Sequence, residues 1–111
     1  MKLATPILLL ALTGIGNASQ AADAGTTAIE ALGKINGIAL ACQQPAIVSR
    51  ARNTMTTGAP KTRANGEVFE TATNTAYLEQ GKGQACPDAA TLTSQLSEAE
   101  KRLQAAFPTA R

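Results

Sequence analysis

The chain has 111 residues, ten Lys/Arg against eight Asp/Glu, and no histidine, for a formal net charge of +2. That near-balance gives non-specific nucleic-acid binding no electrostatic basis, and one tyrosine with no tryptophan supplies no stacking platform for bases. The missing histidine removes the commonest general base and metal ligand, and with it the Ser/His and Cys/His nucleophile designs.

The amino-terminal segment reads as a bacterial secretory signal peptide over residues 1–21. Lys2 supplies the positive start, Pro6 to Ile15 is apolar apart from Thr13 and Gly14, and Ser19 and Ala21 are the small residues a signal peptidase requires. Cleavage is expected after Ala21, leaving a single domain, 22–111, in the periplasm or outside the cell. The apolar run is shorter than the roughly 20 residues that span a bilayer, and polar Asn17, Ser19 and Gln20 follow it in place of a basic stop-transfer flank. An uncleaved anchor is the competing reading. Leu40-Ala41-Cys42 imitates the end of a lipoprotein signal, but Asp23, Glu30 and Lys34 interrupt the apolar segment that lipidation needs. No second apolar stretch is long enough to span a membrane.

A mature chain of about 90 residues is close to the size at which one core is only just sufficient. Cys42 and Cys86 are its only cysteines, and an even count in an oxidising compartment is most simply one disulfide. The bridge closes a loop worth about 4 kcal/mol in the chain-entropy model. No Cys-x-x-Cys spacing serves redox catalysis, and two thiolates without histidine do not make a zinc site. No cofactor is expected.

From Thr26 onward the apolar spacing is helical and predicts an all-α domain, a small bundle of three to four helices. Thr27 with Glu30 fits a capping box, and Ala28, Leu32, Ile35, Ala39 and Cys42 line one face of a helix over 26–43. The Ala/Thr/Gly-rich stretch Ala21 to Thr27 before it is expected to be mobile. Pro45 either ends that helix or opens the next, over 45–57, whose apolar positions are Ile47, Val48, Ala51 and Met55 and whose stop signal is Gly58-Ala59-Pro60. A third helix over 62–80 carries Val68, Phe69, Ala72, Ala76 and Tyr77 on a face and ends at Gly81-Lys82-Gly83. Cys86-Pro87-Asp88 opens the last, with proline at or near its first turn. Leu92, Leu96, Ala99, Leu103 and Ala106-Phe107 then follow at helical steps up to Pro108. Gly33 and Gly37, four apart, permit close approach of another backbone, either within the bundle or across a homodimer.

Two clusters are candidates for chemistry or binding. Glu67 and Glu70 share a helical face as a carboxylate pair, but neither stands in an apolar run that would raise its pKa, and solvated surface is the simpler account. Arg50, Arg52, Lys61 and Arg63 are four cations within 14 residues and without an intervening acid. They read either as a solvated helix end or as a binding patch for an acidic partner, for which arginine is suited.

This plan of a signal peptide, a short helical domain and one long-range bridge resembles that of small periplasmic proteins related to the acid-stress chaperone HdeA. Cys86 before an amphipathic helix is similar to the cysteine preceding the last helix of that group, and Cys42 to its partner in the early helix. Cys86-Pro87, Leu92, Leu96, Leu103, Pro108 and Arg111 are also similar to the carboxyl-terminal helix of immunity proteins against type VI secretion amidase effectors. The expected function is that of a non-enzymatic periplasmic protein that binds another protein as inhibitor, immunity factor or chaperone, because a helical domain without catalytic side chains has only its surface to offer. A small-ligand carrier with a site between helices is the alternative.

Overall fold

The computed structural model describes residues 16–109, with side chains from residue 24 onward. These form four helices and no strand: α1 (Gly16–Ala41), α2 (Pro45–Gly58), α3 (Arg63–Gln80) and α4 (Ala89–Ala106). The expected all-α bundle with one long-range disulfide is observed, the Cα atoms of Cys42 and Cys86 lying 5.8 Å apart across the bridge. Residues 1–15 of the expected signal peptide lie outside the described residues.

Helix α1 corrects the expectation at its start. It begins at Gly16 rather than at residue 26, so Thr27 and Glu30 lie inside it and form no capping box. The stretch Ala21 to Thr27, expected to be mobile, is helical. The physical reason is composition: Ala18, Ala21, Ala22 and Ala24 carry the highest helix propensity, and extending an existing helix costs far less than nucleating one. The other end comes at Ala41, two residues before the expected limit. There Gln43 adopts a left-handed φ of 57°, and the N–H groups of Gln44 and Gln43 reach back to the carbonyls of Ala39 (2.9 Å) and Leu40 (3.3 Å). This is a Schellman closure with glutamine in the position glycine usually holds.

The next two boundaries agree with the sequence reading. Pro45 occupies the first turn of α2, where its missing N–H costs nothing. Thr62 caps α3 by accepting from the Asn65 N–H at 3.1 Å. Helix α4 starts one residue past Asp88, whose carboxylate accepts from the Thr91 N–H at 2.8 Å. Asp88 is therefore the cap, and Pro87 stands outside the helix.

Contacts at both ends fix the directions of the helices. The disulfide joins the end of α1 to the approach to α4, while Phe107 at the end of α4 lies against Gly25; α1 and α4 are antiparallel. Gly33 faces Phe69 and Gly37 faces Thr73, so α3 runs parallel to α1. Gln44 donates to the Pro87 carbonyl near the start of α2, and Gly58 at its end abuts Leu103, which makes α2 parallel to α4. Helix α1 is central, with α2 and α4 on one side and α3, which packs chiefly on α1, on the other.

That central position explains why α1 is buried on two faces. Ala28, Leu32, Ile35 and Ala39 form the expected core stripe, joined by Ile29 and by Leu92, Leu96, Ala99 and Leu103 of α4. The second buried face holds Gly33, Asn36 and Gly37 against α3. A β-carbon on Gly33 would stand 2.7 Å from the Phe69 carbonyl oxygen and 2.8 Å from Ala72 Cβ, so the two backbones approach as closely as glycine permits. The glycine pair thus serves packing within the chain. The seam also carries polar groups: Asn36 Nδ2 donates to Thr73 Oγ1 (3.1 Å), which donates to the Gly33 carbonyl (3.2 Å).

Candidate functional site

A concavity among the described residues follows from that two-sided packing. Because α2 meets α3 on one flank of the α1–α3 seam, through Arg52 against Glu70 and Phe69, the other flank stays uncovered, and a trough of about 870 Å³ runs along it. Its walls are ladders at four-residue steps, Glu30, Lys34 and Ile38 on α1 and Val68, Ala72 and Ala76 on α3, because residues four apart share a helical face. Ile38, Val68, Ala72 and Ala76 make a shallow apolar floor, partly or fully buried; Thr71 and Thr75 are exposed along the outer wall. Leu78, seven residues beyond Thr71 on the same helix, is 55% exposed.

Charge on the rim has one dominant sign. Glu30, Glu67 and Glu79 line the trough against a single cation, Lys34. Lys82 lies 3.3 Å from Glu79 and partly offsets it. The lower end is closed by Gln80, a buried side chain whose Nε2 donates to the carbonyls of Gln84 and Ala85, both at 3.0 Å, and so ties the loop after α3 to the bridge at Cys86.

The four cations of the Arg50–Arg63 segment are not brought together as one patch. Arg50 crosses to α4, where its Nε and Nη2 meet the two carboxylate oxygens of Glu100 at 3.0 and 2.7 Å and Nη2 also reaches Ser97 Oγ at 3.2 Å. Arg52 lies 3.4 Å from Glu70 and 5.9 Å from the centroid of the Phe69 ring. Lys61 donates to the Thr56 carbonyl at 3.1 Å, closing the last turn of α2. Arg63 and Arg52 share a smaller cleft with Glu67 and Glu70. The sequence segment holds no acid, yet the fold supplies acids to it from α3 and α4.

The carboxylate pair is also divided in its contacts, since Glu70 meets Arg52 while Glu67 stands on the rim between the trough and the smaller cleft. Among the described residues no three His, Cys, Asp or Glu side chains are grouped to hold a metal ion, and no helix is long and apolar enough to cross a membrane. Glu100 is the acid that α2 contacts on α4. The Arg50 hydrogen bond holds its carboxyl below the usual range, burial opposes this, and Thr54 Oγ1 at 2.7 Å adds to the lowering.

The sequence reading missed the trough, although its signal was present. The spacing places Val68, Ala72 and Ala76 on one face with Phe69 and Tyr77, but the structure splits them. Phe69 and Thr73 are buried against α1, Val68 and Ala72 border the trough, and Tyr77 is 48% exposed. The four-step ladder Glu30, Lys34, Ile38 on the opposite helix gave the second wall. Compared with family models, curated proteins and solved structures, the chain matches none.

Proposed function

We propose that this chain is a non-enzymatic protein of the bacterial envelope that works by binding another protein along the α1–α3 trough, as an inhibitor, immunity factor or chaperone. The observation that carries this reading is the shape and lining of the trough: an elongated apolar floor bordered by side chains that are mostly exposed. Small-molecule sites enclose most of a ligand's surface. A trough open along its length leaves a small ligand wet, whereas it suits a second helix laid into it. The signal-like segment 1–21 and the Cys42–Cys86 bridge support an exported setting.

Its volume falls in the range of small-ligand sites, which keeps a carrier as the second reading. Native mass spectrometry of protein purified from its own envelope separates the two, because a carrier brings a small bound mass with it. The main reading is tested with Thr71→Trp and Thr75→Trp, which fill the trough without adding charge. A partner recovered by the wild type and then purified is expected to bind these variants at least tenfold more weakly, with unchanged circular dichroism. Equal binding removes the trough from the function.

A further inference from the structure

Resting on the reading of the trough as a protein-binding surface, we infer that its occupant is an amphipathic helix of about four turns, with an aliphatic stripe flanked by lysine or arginine. Three features of the trough specify this chemistry. The first is its length: the α3 wall runs from Ala64 to Gln80, about 24 Å at 1.5 Å per residue, which is the length of a 16-residue helix. All the described elements are helices, so no sheet edge among them templates an added strand, and an apolar groove of this length between two helices fits the helix-in-groove mode of recognition.

The floor sets the stripe. Ala72 and Ala76 are small and flanked by Ile38 and Val68, so the concavity above them accepts leucine- or isoleucine-sized side chains at i, i+3, i+4 and i+7 of the incoming helix.

The rim sets the charge. Glu30, Glu67 and Glu79 face the trough against Lys34, and Lys82 pairs with Glu79 at 3.3 Å, which leaves Glu30 and Glu67 at the Ala64 end as the excess of acid, although the whole chain is net positive. Acids gathered on one rim of a positive protein favour a cationic flank on the partner and disfavour an acidic one. Because these carboxylates are exposed, the selection acts through a screened field and is modest in size.

The test uses the full domain, ¹⁵N-labelled, and two 16-residue helical peptides with the same Leu/Ala stripe, one flanked by Lys and the other by Glu. At low salt the Lys peptide is expected to bind at least fivefold more tightly, to shift the amides of Ile38, Val68, Ala72 and Ala76, and to lose most of that preference in 0.5 M NaCl. The variant Glu30→Lys/Glu67→Lys is expected to abolish or reverse the preference. Equal affinity for both peptides in the wild type overturns the charge inference and leaves the trough as a binding surface. Failure of both peptides to shift the trough amides, or concentration-dependent shifts there without peptide, overturns the helical occupant and the proposed surface together.

Discussion

Gly37 of α1 lies so close to the Thr73 carbonyl of α3 that a β-carbon at position 37 would overlap it, and would also stand 2.8 Å from Ala76 Cβ and 2.9 Å from the Tyr77 nitrogen. Two of these neighbours are backbone, so no rotamer change relieves the overlap. Gly37→Ala must push the α1–α3 seam apart, and overpacking of this kind costs about 2–3 kcal/mol. Gly66, in the first turns of α3, has nothing within 4 Å of its virtual β-carbon. Gly66→Ala should therefore stabilise by about 0.5 kcal/mol through helix propensity alone. Urea denaturation of the two variants checks the opposite signs. A neutral Gly37→Ala would mean that the seam is looser than described.

The disulfide joins residues 44 apart in sequence and ties the end of α1 to the loop that Gln80 braces. Loss of the bridge frees a loop of that size in the unfolded chain, a change of about 4 kcal/mol. For a domain of this length that corresponds to a fall in Tm on the order of 20 °C. Calorimetry with and without reductant, alongside Cys42→Ser/Cys86→Ser, measures it. A shift of only a few degrees would show that the reduced, unfolded chain keeps enough structure to restrict this loop without the bridge.

Gln43 is the only described non-glycine residue with positive φ, at 57°, and it closes the Schellman motif on α1. A β-carbon in this region is strained, by about 1–2 kcal/mol, while glycine gives back part of the gain through its looser unfolded state. Gln43→Gly should thus stabilise by about 0.5–1 kcal/mol. Unchanged stability would mean that the exposed Gln43 side chain contributes as much as its backbone strain costs.

How much of this was legible depended on whether the signal was local. The helical steps of Leu92, Leu96, Ala99 and Leu103 named four residues that are each at most 2% exposed, because a period along one helix records which face is buried. The spacing of Gly33 and Gly37 likewise announced a close approach. Nothing local identified the partner of that approach, nor the burial of Asn36 and Thr73, since polar side chains give no apolar period and the Asn36 Nδ2–Thr73 Oγ1 bond forms only once α3 docks, leaving Asn36 Oδ1 buried without a partner. The start of α1 was misplaced for a related reason: Thr27 and Glu30 match a capping pattern, but a pattern cannot say that alanine-rich residues upstream are already helical. The trough needed both helices at once. Arg50 looked unpaired because its acid, Glu100, stands 50 residues away.

That long-range pair gives a pH dependence with a definite sign. Glu100 accepts from Arg50 Nε and Nη2 and from Thr54 Oγ1, and its side chain is only 17% exposed. Hydrogen bonding from Arg50, opposed by burial and reinforced by Thr54, lowers its folded pKa below its ordinary value. A carboxyl lowered on folding stabilises the protein above its unfolded pKa, about 4.3, and loses that contribution as the pH falls through the folded value. Arg50 is charged throughout this range and adds no titration of its own. Because the Arg50 side chain is 44% exposed, the pair is screened and Glu100→Gln should cost about 1 kcal/mol at pH 7. The difference from wild type should narrow below about pH 4, where the wild-type carboxyl is itself becoming neutral. Asp88, lowered by the Thr91 N–H at the α4 cap, titrates in the same direction, so Glu100→Gln alone retains some acid sensitivity and Glu100→Gln/Asp88→Asn should retain less. Urea midpoints from pH 3 to 7 decide the matter: a Glu100→Gln offset that stays constant across the range would assign its cost to packing rather than to the charge.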